Sequence, residues 1–170
     1  MRTLHLLRHA KSSWDDVALP DHERPLAPRG LRAAAAMRDH VAAAGLHVEL
    51  VLVSPAVRAQ QTWESVAAGV VAGQVRTEAA IYEASANELL RLVHGVDGEL
   101  GSVLLVGHNP GFHDLALTLA GEGEDQALTA LRSKYPTGAL ASLAFDGEWS
   151  SLVASSGQLV SFVRPRDLER

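Results

Sequence analysis

The sequence predicts an α/β fold in three layers, in which helices flank a mostly parallel sheet that has an antiparallel edge. Three short apolar runs, at residues 3–7, 50–53 and 103–107, show no alternation of apolar and polar residues. Such runs are typical of strands buried on both faces. Helical patterns separate them, and strands without intervening helices follow residue 138. The first arrangement predicts a parallel sheet and the second an antiparallel hairpin at its edge.

Helices are predicted from their boundary residues. Ser54 is suited to be an N-cap with Pro55 at the first helical position, and Gly45 is suited to end a helix. The predicted helices cover residues 29–44, 55–71, 87–94 and 112–120.

The hairpin is predicted from residues 139–145, a turn at Asp146-Gly147 and a second strand near residues 149–153. The loop at residues 12–28 is long for a compact domain, and such loops are usually functional or disordered. It follows His9 directly, so we expect it to form one wall of a pocket.

Composition limits the class of protein. A chain of 170 residues, 47% of them hydrophobic, predicts a single domain over residues 1–170. Cysteine is absent, which excludes disulfides and zinc–thiolate sites, and a net charge of −5 argues against nucleic acid as a partner. No apolar run approaches the roughly 20 residues of a membrane span, and no signal-peptide pattern is present, so we expect a cytoplasmic protein without membrane contact. Oligomeric state is left open.

Charged and imidazole side chains follow all three buried runs. The first run ends in Arg8 and His9, the second is followed by Arg58, and the third by His108. Ligands of open α/β sheets bind outside the carboxyl ends of the strands, so these four side chains can converge. Two fixed positive charges and two imidazoles suit a phosphoryl group.

The chemistry of such a site centres on His9. A neutral imidazole whose second nitrogen is held by an acceptor can attack phosphorus. Arg8 and Arg58 would disfavour the imidazolium and bind phosphoryl oxygens through their planar guanidinium groups. Phosphoryl transfer depends mainly on positioning and charge stabilisation, so neither a metal nor another cofactor is expected.

Four segments, taken in order, resemble the histidine phosphatase superfamily. They are Leu-Arg-His-Ala-Lys-Ser at residues 7–12, Asp-His-Glu-Arg-Pro-Leu at 21–26 followed by Gly30, Ser-Pro-Ala-Val-Arg-Ala-Gln-Gln-Thr at 54–62, and Val-Gly-His-Asn-Pro-Gly at 106–111. The resemblance implies a phosphoglycerate-mutase-like fold, and the short chain is most similar to the SixA-type phosphohistidine phosphatases. It also implies that His9 becomes phosphorylated while Arg8, Arg58 and His108 hold the phosphoryl group.

Further substrate-binding roles are implied by the same resemblance. Lys11 and Arg24 would lie at the pocket edge, and Asn109 and Ser54 would add hydrogen bonds, although Ser54 could equally serve only as the helix N-cap. Ala10 departs from the glycine that many relatives carry after the nucleophile.

The sequence does not identify the general acid, and the choice of substrate depends on whether there is one. Glu83 and Glu78 are the candidates, with solvated charges as the alternative. An alkoxide, whose conjugate acid has a pKa of about 16, leaves poorly without a proton donor. A phosphohistidine protonated on its other nitrogen leaves as neutral imidazole, whose conjugate acid has a pKa of about 6.5. The sequence therefore predicts a metal-independent phosphatase with a phosphohistidine intermediate, acting on protein phosphohistidine. A small-molecule phosphomonoesterase, and a phosphate- or phosphoprotein-binding module with little turnover, are the alternatives.

Overall fold

The computed structural model describes residues 1–169, which form one seven-stranded sheet between two layers of helices. The strands are β1 (Arg2–Arg8), β2 (His47–Val53), β3 (Val71–Thr77), β4 (Ser102–Gly107), β5 (Ala120–Gly123), β6 (Leu140–Phe145) and β7 (Gly157–Val163). They lie in the order β3-β2-β4-β1-β6-β7-β5. The predicted α/β class with a mostly parallel sheet and an antiparallel hairpin is confirmed.

The two helical layers bury separate apolar clusters against the sheet. The helices are α1 (Pro28–Ala43), α2 (Val57–Val66), α3 (Ala86–His94), α4 (Gly111–Leu119) and α5 (Asp125–Ser133). Met37 and Val66, from α1 and α2, belong to the cluster on one face, and Leu89, Phe112 and Leu131, from α3, α4 and α5, to the cluster on the other. The three-layer arrangement follows from these two clusters.

Strand direction divides the sheet at β1. The four strands from β3 to β1 run parallel, whereas β6 is antiparallel to both β1 and β7. The hairpin is therefore inside the sheet, because β5 pairs with the far side of β7 and forms the edge.

The helix predicted for residues 55–71 is too long at both ends. α2 begins at Val57 with Ala56 as the N-cap residue, so the prediction that Ser54 caps it with Pro55 at the first position is wrong. The helix ends at Val66, and a 3₁₀ turn leads into β3. β3 is largely exposed and lies at an edge, so it lacks the buried apolar run by which the other parallel strands were identified.

The second strand of the hairpin was predicted too early. Trp149–Ser151 forms a 3₁₀ turn, and the strand that pairs with β6 is β7. Trp149 is buried against Phe145 at 5.2 Å between ring centroids, and its indole Nε1 donates to the carbonyl of Leu100 at 2.7 Å. Trp149 therefore contributes to packing at this turn and does not belong to a paired strand.

The long loop before α1 has an ordered conformation. Ser12 and Leu26 form an antiparallel bridge, and Asp21–Glu23 forms a 3₁₀ turn. The loop thus folds back on itself beside the end of β1. Across residues 1–169, no helix combines the length and the apolar character needed to cross a membrane.

Candidate active site

The carboxyl ends of the parallel strands bring the predicted residues to one edge of the sheet. Arg8 is paired with Gly107 between β1 and β4, and Val53 is paired with Val106 between β2 and β4. The residue that follows each of these strands therefore lies next to the others. These residues are His9, Ser54 and His108.

His9 is held in one tautomer. The ring Nδ1 lies 2.7 Å from the carbonyl oxygen of Ala10, and a carbonyl can only accept, so Nδ1 carries the hydrogen and Nε2 carries the lone pair. The side chain is buried, and burial is the largest cause that lowers the pKa of His9 to about 3, with smaller contributions from His108, Arg58 and Arg8. His9 is therefore a neutral imidazole at pH 7 with Nε2 available to attack.

His108 lies beside His9, with 5.2 Å between the ring centroids. Its Nε2 is 2.7 Å from Ser54 Oγ, and that oxygen also accepts from the backbone N–H of Ala56 at 3.3 Å. In the tautomer that carries its hydrogen on Nδ1, the ring accepts at Nε2 from the Ser54 hydroxyl. Burial lowers the pKa of His108 to about 4, and the charge of Arg58 acts in the same direction. With its hydrogen on Nδ1, the neutral ring presents an N–H donor at that atom.

Arg8 is fixed by a backbone carbonyl. Its Nη1 donates to the carbonyl oxygen of Tyr135 at 2.9 Å, and Asn109 Nδ2 donates to the same oxygen at 2.9 Å. Asn109 Oδ1 in turn accepts from the backbone N–H of His113 at 3.2 Å. Both ends of the Asn109 amide are engaged within the protein, and its predicted contact with substrate stays a prediction.

Arg58, the second residue of α2, is held by Asp21. Its Nη2 donates to Asp21 Oδ2 at 3.0 Å and its Nη1 to the Asp21 carbonyl at 2.8 Å. Tyr82 donates its hydroxyl to the same Oδ2 at 2.6 Å and contacts the His108 ring edge-on at 5.5 Å. The hydrogen bond from Tyr82 is the largest cause that lowers the pKa of Asp21 to about 2. Asp21 is therefore a carboxylate that fixes Arg58.

Three buried nitrogens at this edge have no hydrogen-bond partner within residues 1–169. They are Arg8 Nε, Arg58 Nε and His108 Nδ1. The other such nitrogen of the described chain, Arg2 Nε, is at the opposite end of β1. Buried polar nitrogens normally have partners, so two guanidinium donors and an imidazole nitrogen without partners near His9 indicate a site for a group with several acceptor oxygens.

Arg24 holds the loop at residues 12–28 together through several contacts. Its Nη1 donates to Ser12 Oγ at 2.7 Å, its Nε donates to Asp21 Oδ1 at 3.2 Å, and the guanidinium carbon lies 3.5 Å from the centroid of the Trp14 ring. Trp14 itself is largely exposed. Lys11 is exposed too, and its backbone carbonyl accepts from Ala27.

Thr62 is a positioning residue that was not predicted for this purpose. Its Oγ1 donates to the Arg58 carbonyl at 2.7 Å and accepts from the N–H of Ala10 at 3.0 Å. It therefore connects the His9 loop to α2. Asp21, Tyr82 and Thr62 all flank or belong to segments singled out in the sequence, but no local pattern reveals their partners.

Glu78 and Glu83 flank the turn between β3 and α3. Neither carboxylate has a hydrogen bond to the site in the part of the chain that the structure describes. Glu83 has a φ of 58°, which is uncommon for a residue with a side chain, and it directly follows Tyr82. Over the same residues, no group of three or more His, Cys, Asp or Glu side chains could hold a metal ion. Metal independence stays a prediction.

The family of the chain follows from comparison with known proteins. Residues 4–95, which include Arg8, His9 and Arg58, match the model of the histidine phosphatase superfamily, branch 1. An uncharacterized protein of Mycobacterium leprae is 35% identical in an alignment 170 positions long that covers 94% of this chain and 100% of that protein. The chain belongs to the histidine phosphatase superfamily and is a phosphatase of the histidine-nucleophile class.

Two solved structures refine this assignment. The structure of a candidate phosphohistidine phosphatase SixA from Nakamurella multipartitia matches with a TM-score of 0.83 and 30% identity, covering 96% of each chain. A candidate phosphohistidine phosphatase SixA from Agrobacterium tumefaciens matches with a TM-score of 0.82 and 29% identity, over 96% of this chain and 98% of that one. The chain is thus SixA-like, with a fold of the phosphoglycerate-mutase type.

Proposed function

We propose that the protein hydrolyses phosphohistidine on a protein substrate, without a metal ion, through a phosphorylated His9. The observation that carries this proposal is the neutral His9 imidazole beside three buried, unpartnered nitrogens of Arg8, Arg58 and His108. Four groups around one phosphoryl group meet the needs of phosphoryl transfer, namely a positioned nucleophile and donors for the developing charge.

In the first step, His9 Nε2 attacks phosphorus in line and forms the new P–N bond. The P–N bond of the substrate breaks, its electron pair goes to the substrate nitrogen, and the substrate leaves as neutral imidazole because its other nitrogen already carries a hydrogen. His9 keeps its own hydrogen on Nδ1, bonded to the Ala10 carbonyl. Arg8, Arg58 and His108 donate to the phosphoryl oxygens throughout.

In the second step, water attacks phosphorus and the bond to Nε2 breaks. The electron pair returns to Nε2, His9 becomes neutral imidazole again, and the protons of water remain on the released phosphate or pass to solvent. The lowered pKa of His9 supports this step, because a weakly basic imidazole is a good leaving group.

The choice of phosphohistidine rests on the leaving group and on the relatives. A neutral imidazole needs no acid from the enzyme, and neither Glu78 nor Glu83 is hydrogen-bonded to the site within residues 1–169. The structures at 30% and 29% identity bear the name phosphohistidine phosphatase. A phosphorylated protein is therefore the partner we propose. A cytoplasmic location and a single domain over residues 1–170 stay predictions.

One observation favours a second candidate, the hydrolysis of phosphate monoesters. Glu83 is held at a φ of 58° next to Tyr82, which contacts His108. Such backbone strain is concentrated at functional sites. A general acid at Glu83 would allow an alkoxide to leave.

The test compares turnover of a phosphohistidine peptide with that of a sugar phosphate, with intact-mass analysis of the enzyme after rapid acid-free quenching. We expect a phosphate adduct on the wild type, none on His9→Ala, and the higher kcat/KM for the peptide. Glu83→Gln should leave peptide turnover unchanged, as should the matched variant Glu78→Gln. Faster turnover of the sugar phosphate, abolished by Glu83→Gln alone, would establish the monoesterase instead.

A further inference from the structure

A cationic groove of about 660 Å³ lies beside the His9 loop. It is bounded by the first turns of α1, by residues 134–137 and by the turn Pro165–Leu168. Five of its lining side chains are basic, namely Lys11, Arg29, Arg32, Lys134 and Arg166, whereas Glu169 is the acidic one among the lining residues of the described chain. This excess of positive charge contrasts with the net charge of −5 of the whole molecule.

The basic side chains of the groove outnumber Glu169, the acidic lining residue among the described residues. All five are exposed, and none forms a salt bridge with another residue of the 1–169 range. The nearby carboxylate of Asp167 is occupied by Arg164, at 2.8 Å. The guanidinium groups of the groove therefore remain available to an external anion.

The position of two of these cations is unfavourable in the free protein. Arg29 and Arg32 belong to the first turns of α1, which has no acidic residue in its first turn and no side-chain cap on its N-terminus. The helix dipole and the free N–H groups at that end favour negative charge and disfavour cations. A bound anion would stabilise both the helix end and the arginines, so this second observation also indicates an anionic ligand.

The groove adjoins the backbone of the loop that carries the nucleophile. Lys11 is shared between the groove and the His9 loop, and two residues of extended chain span at most about 7 Å. On the other side, Thr137 lines the groove, and the N–H of Gly138 donates to the His9 carbonyl at 2.9 Å. A peptide with a phosphohistidine at the site could therefore extend its neighbouring residues into the groove.

We infer that the groove binds an acidic segment close to the phosphohistidine of the protein substrate. The inference rests on the proposed function and adds the sequence context that the enzyme would prefer. An acidic partner is repelled by the body of a protein that carries excess negative charge. A local cationic groove overcomes this repulsion and aligns the partner, so charge complementarity supports a protein segment with several carboxylates as the occupant.

The experiment measures two quantities with matched peptides. Each peptide has a central histidine, flanked either by glutamates or by glutamines at the same positions. Fluorescence anisotropy of the unphosphorylated, labelled peptides gives the Kd, and phosphate release from the phosphohistidine forms gives kcat and KM. The proteins are the wild type, the double variant Arg29→Gln/Arg32→Gln, and the control Arg76→Gln/Arg91→Gln, which removes the same charge from exposed positions outside the groove.

We expect the wild type and the control to bind the glutamate peptide roughly tenfold more tightly than the glutamine peptide, as a few exposed ion pairs would give. The groove variant should lose most of this preference, in Kd and in KM, with kcat unchanged. Raising the salt concentration should weaken the preference in the wild type.

The outcomes separate the two proposals. Arginine-dependent binding of the glutamate peptide, without release of phosphate from either phosphorylated peptide, would support the groove and overturn the proposed function. Release from both peptides at equal KM, with equal binding, would overturn the groove alone. Displacement of the glutamate peptide from the groove by inorganic tripolyphosphate at a far lower concentration than by unlabelled peptide would assign the groove to a small polyanion instead.

Discussion

The two ends of β1 carry the same residue types in very different surroundings. Arg2 begins the strand and His5 is its central residue, whereas Arg8 ends the strand and His9 follows it. Both histidines are buried, and burial lowers the pKa of His5 to about 4 and that of His9 to about 3. Both arginines have an Nε without a partner among the described residues. Residue type, burial and the lowered pKa of the histidines therefore do not distinguish the two pairs.

Their hydrogen-bond partners do distinguish them. Arg2 is neutralised by Glu148 at 3.0 Å, and His5 Nδ1 is 2.7 Å from Ser142 Oγ on β6. Arg8, in contrast, donates to a backbone carbonyl and not to a carboxylate. His9 also has the cation Arg58 and the imidazole of His108 nearby, and both lower its pKa. Arg8, a partly buried cation that forms no salt bridge within residues 1–169, thus distinguishes the carboxyl end of β1 as an anion site.

The largest expected effect separates the two histidines. His9→Ala should lower kcat by about 10⁴-fold or more, because it removes the nucleophile. His5→Ala should leave kcat within a few-fold of the wild type and lower the free energy of unfolding by about 1–3 kcal/mol, since Ser142 loses a buried partner. Steady-state kinetics below both melting temperatures, together with urea denaturation, measures both. Substantial activity in His9→Ala would contradict the assignment of the site.

The second effect separates the two arginines. Arg8→Gln should lower kcat/KM by about 10²–10³-fold, as loss of one preorganised donor commonly does. Arg2→Gln removes an equally half-buried guanidinium from the other end of the strand, and its effect should be on stability alone. Similar kinetic losses in both variants would mean that the effect of Arg8 is structural.

The pH dependence of stability tests the lowered pKa values that the buried histidines share. His5, His9 and His108 have pKa values near 4, 3 and 4 in the folded protein, against about 6.5 in the unfolded chain. The unfolded state therefore binds more protons between these values, and stability is lost as pH falls below about 6.5. We expect the free energy of unfolding to decrease by at least about 2 kcal/mol, or 30-fold in the equilibrium, from pH 7 to pH 5. Urea denaturation at several pH values measures this, and an unchanged value over that range would show that the histidines titrate normally.

The smallest effect concerns Asp21, which accepts hydrogen bonds from Arg58 and holds it in position. Asp21→Asn keeps the size of the side chain and removes its charge, so Arg58 and Tyr82 lose their common charged acceptor. We expect kcat to fall about fivefold to tenfold with little change in KM, in line with a charged hydrogen bond of modest strength. Tyr82→Phe, which leaves Arg58 paired, is the matched control and should cost less. An increase in kcat/KM for Asp21→Asn would indicate that the carboxylate opposes substrate binding.

The sequence predicted the parallel half of the fold better than the antiparallel half. Buried strands appear as unbroken apolar runs, so β1, β2 and β4 were found. β3 was missed because most of its residues are exposed, and the adjacent alanines and valines were read as a helix. β5 and α5 were also missed, since β5 is short and its two glycines leave no β pattern. Residues near Trp149 were assigned to a strand because apolar content alone does not distinguish pairing from packing.

For the site, strand ends were informative and loop contacts were not. Arg8, His9, Arg58 and His108 could be grouped because the carboxyl ends of parallel strands meet. Ser54 was predicted either to bind substrate or to cap the helix, and the pairing of β2 with β4 brings its hydroxyl to His108. The contacts of Asp21 depend on the path of the loop at residues 12–28, which no local pattern encodes.

The hydrogen bond from His9 Nδ1 to the Ala10 carbonyl has a consequence for the chemical form of the intermediate. Since Nδ1 is engaged by this carbonyl, the proposed phosphorylation at Nε2 would yield the tele isomer of phosphohistidine and not the pros isomer. A backbone carbonyl, which no side-chain substitution can remove, thus sets the regiochemistry of the enzyme.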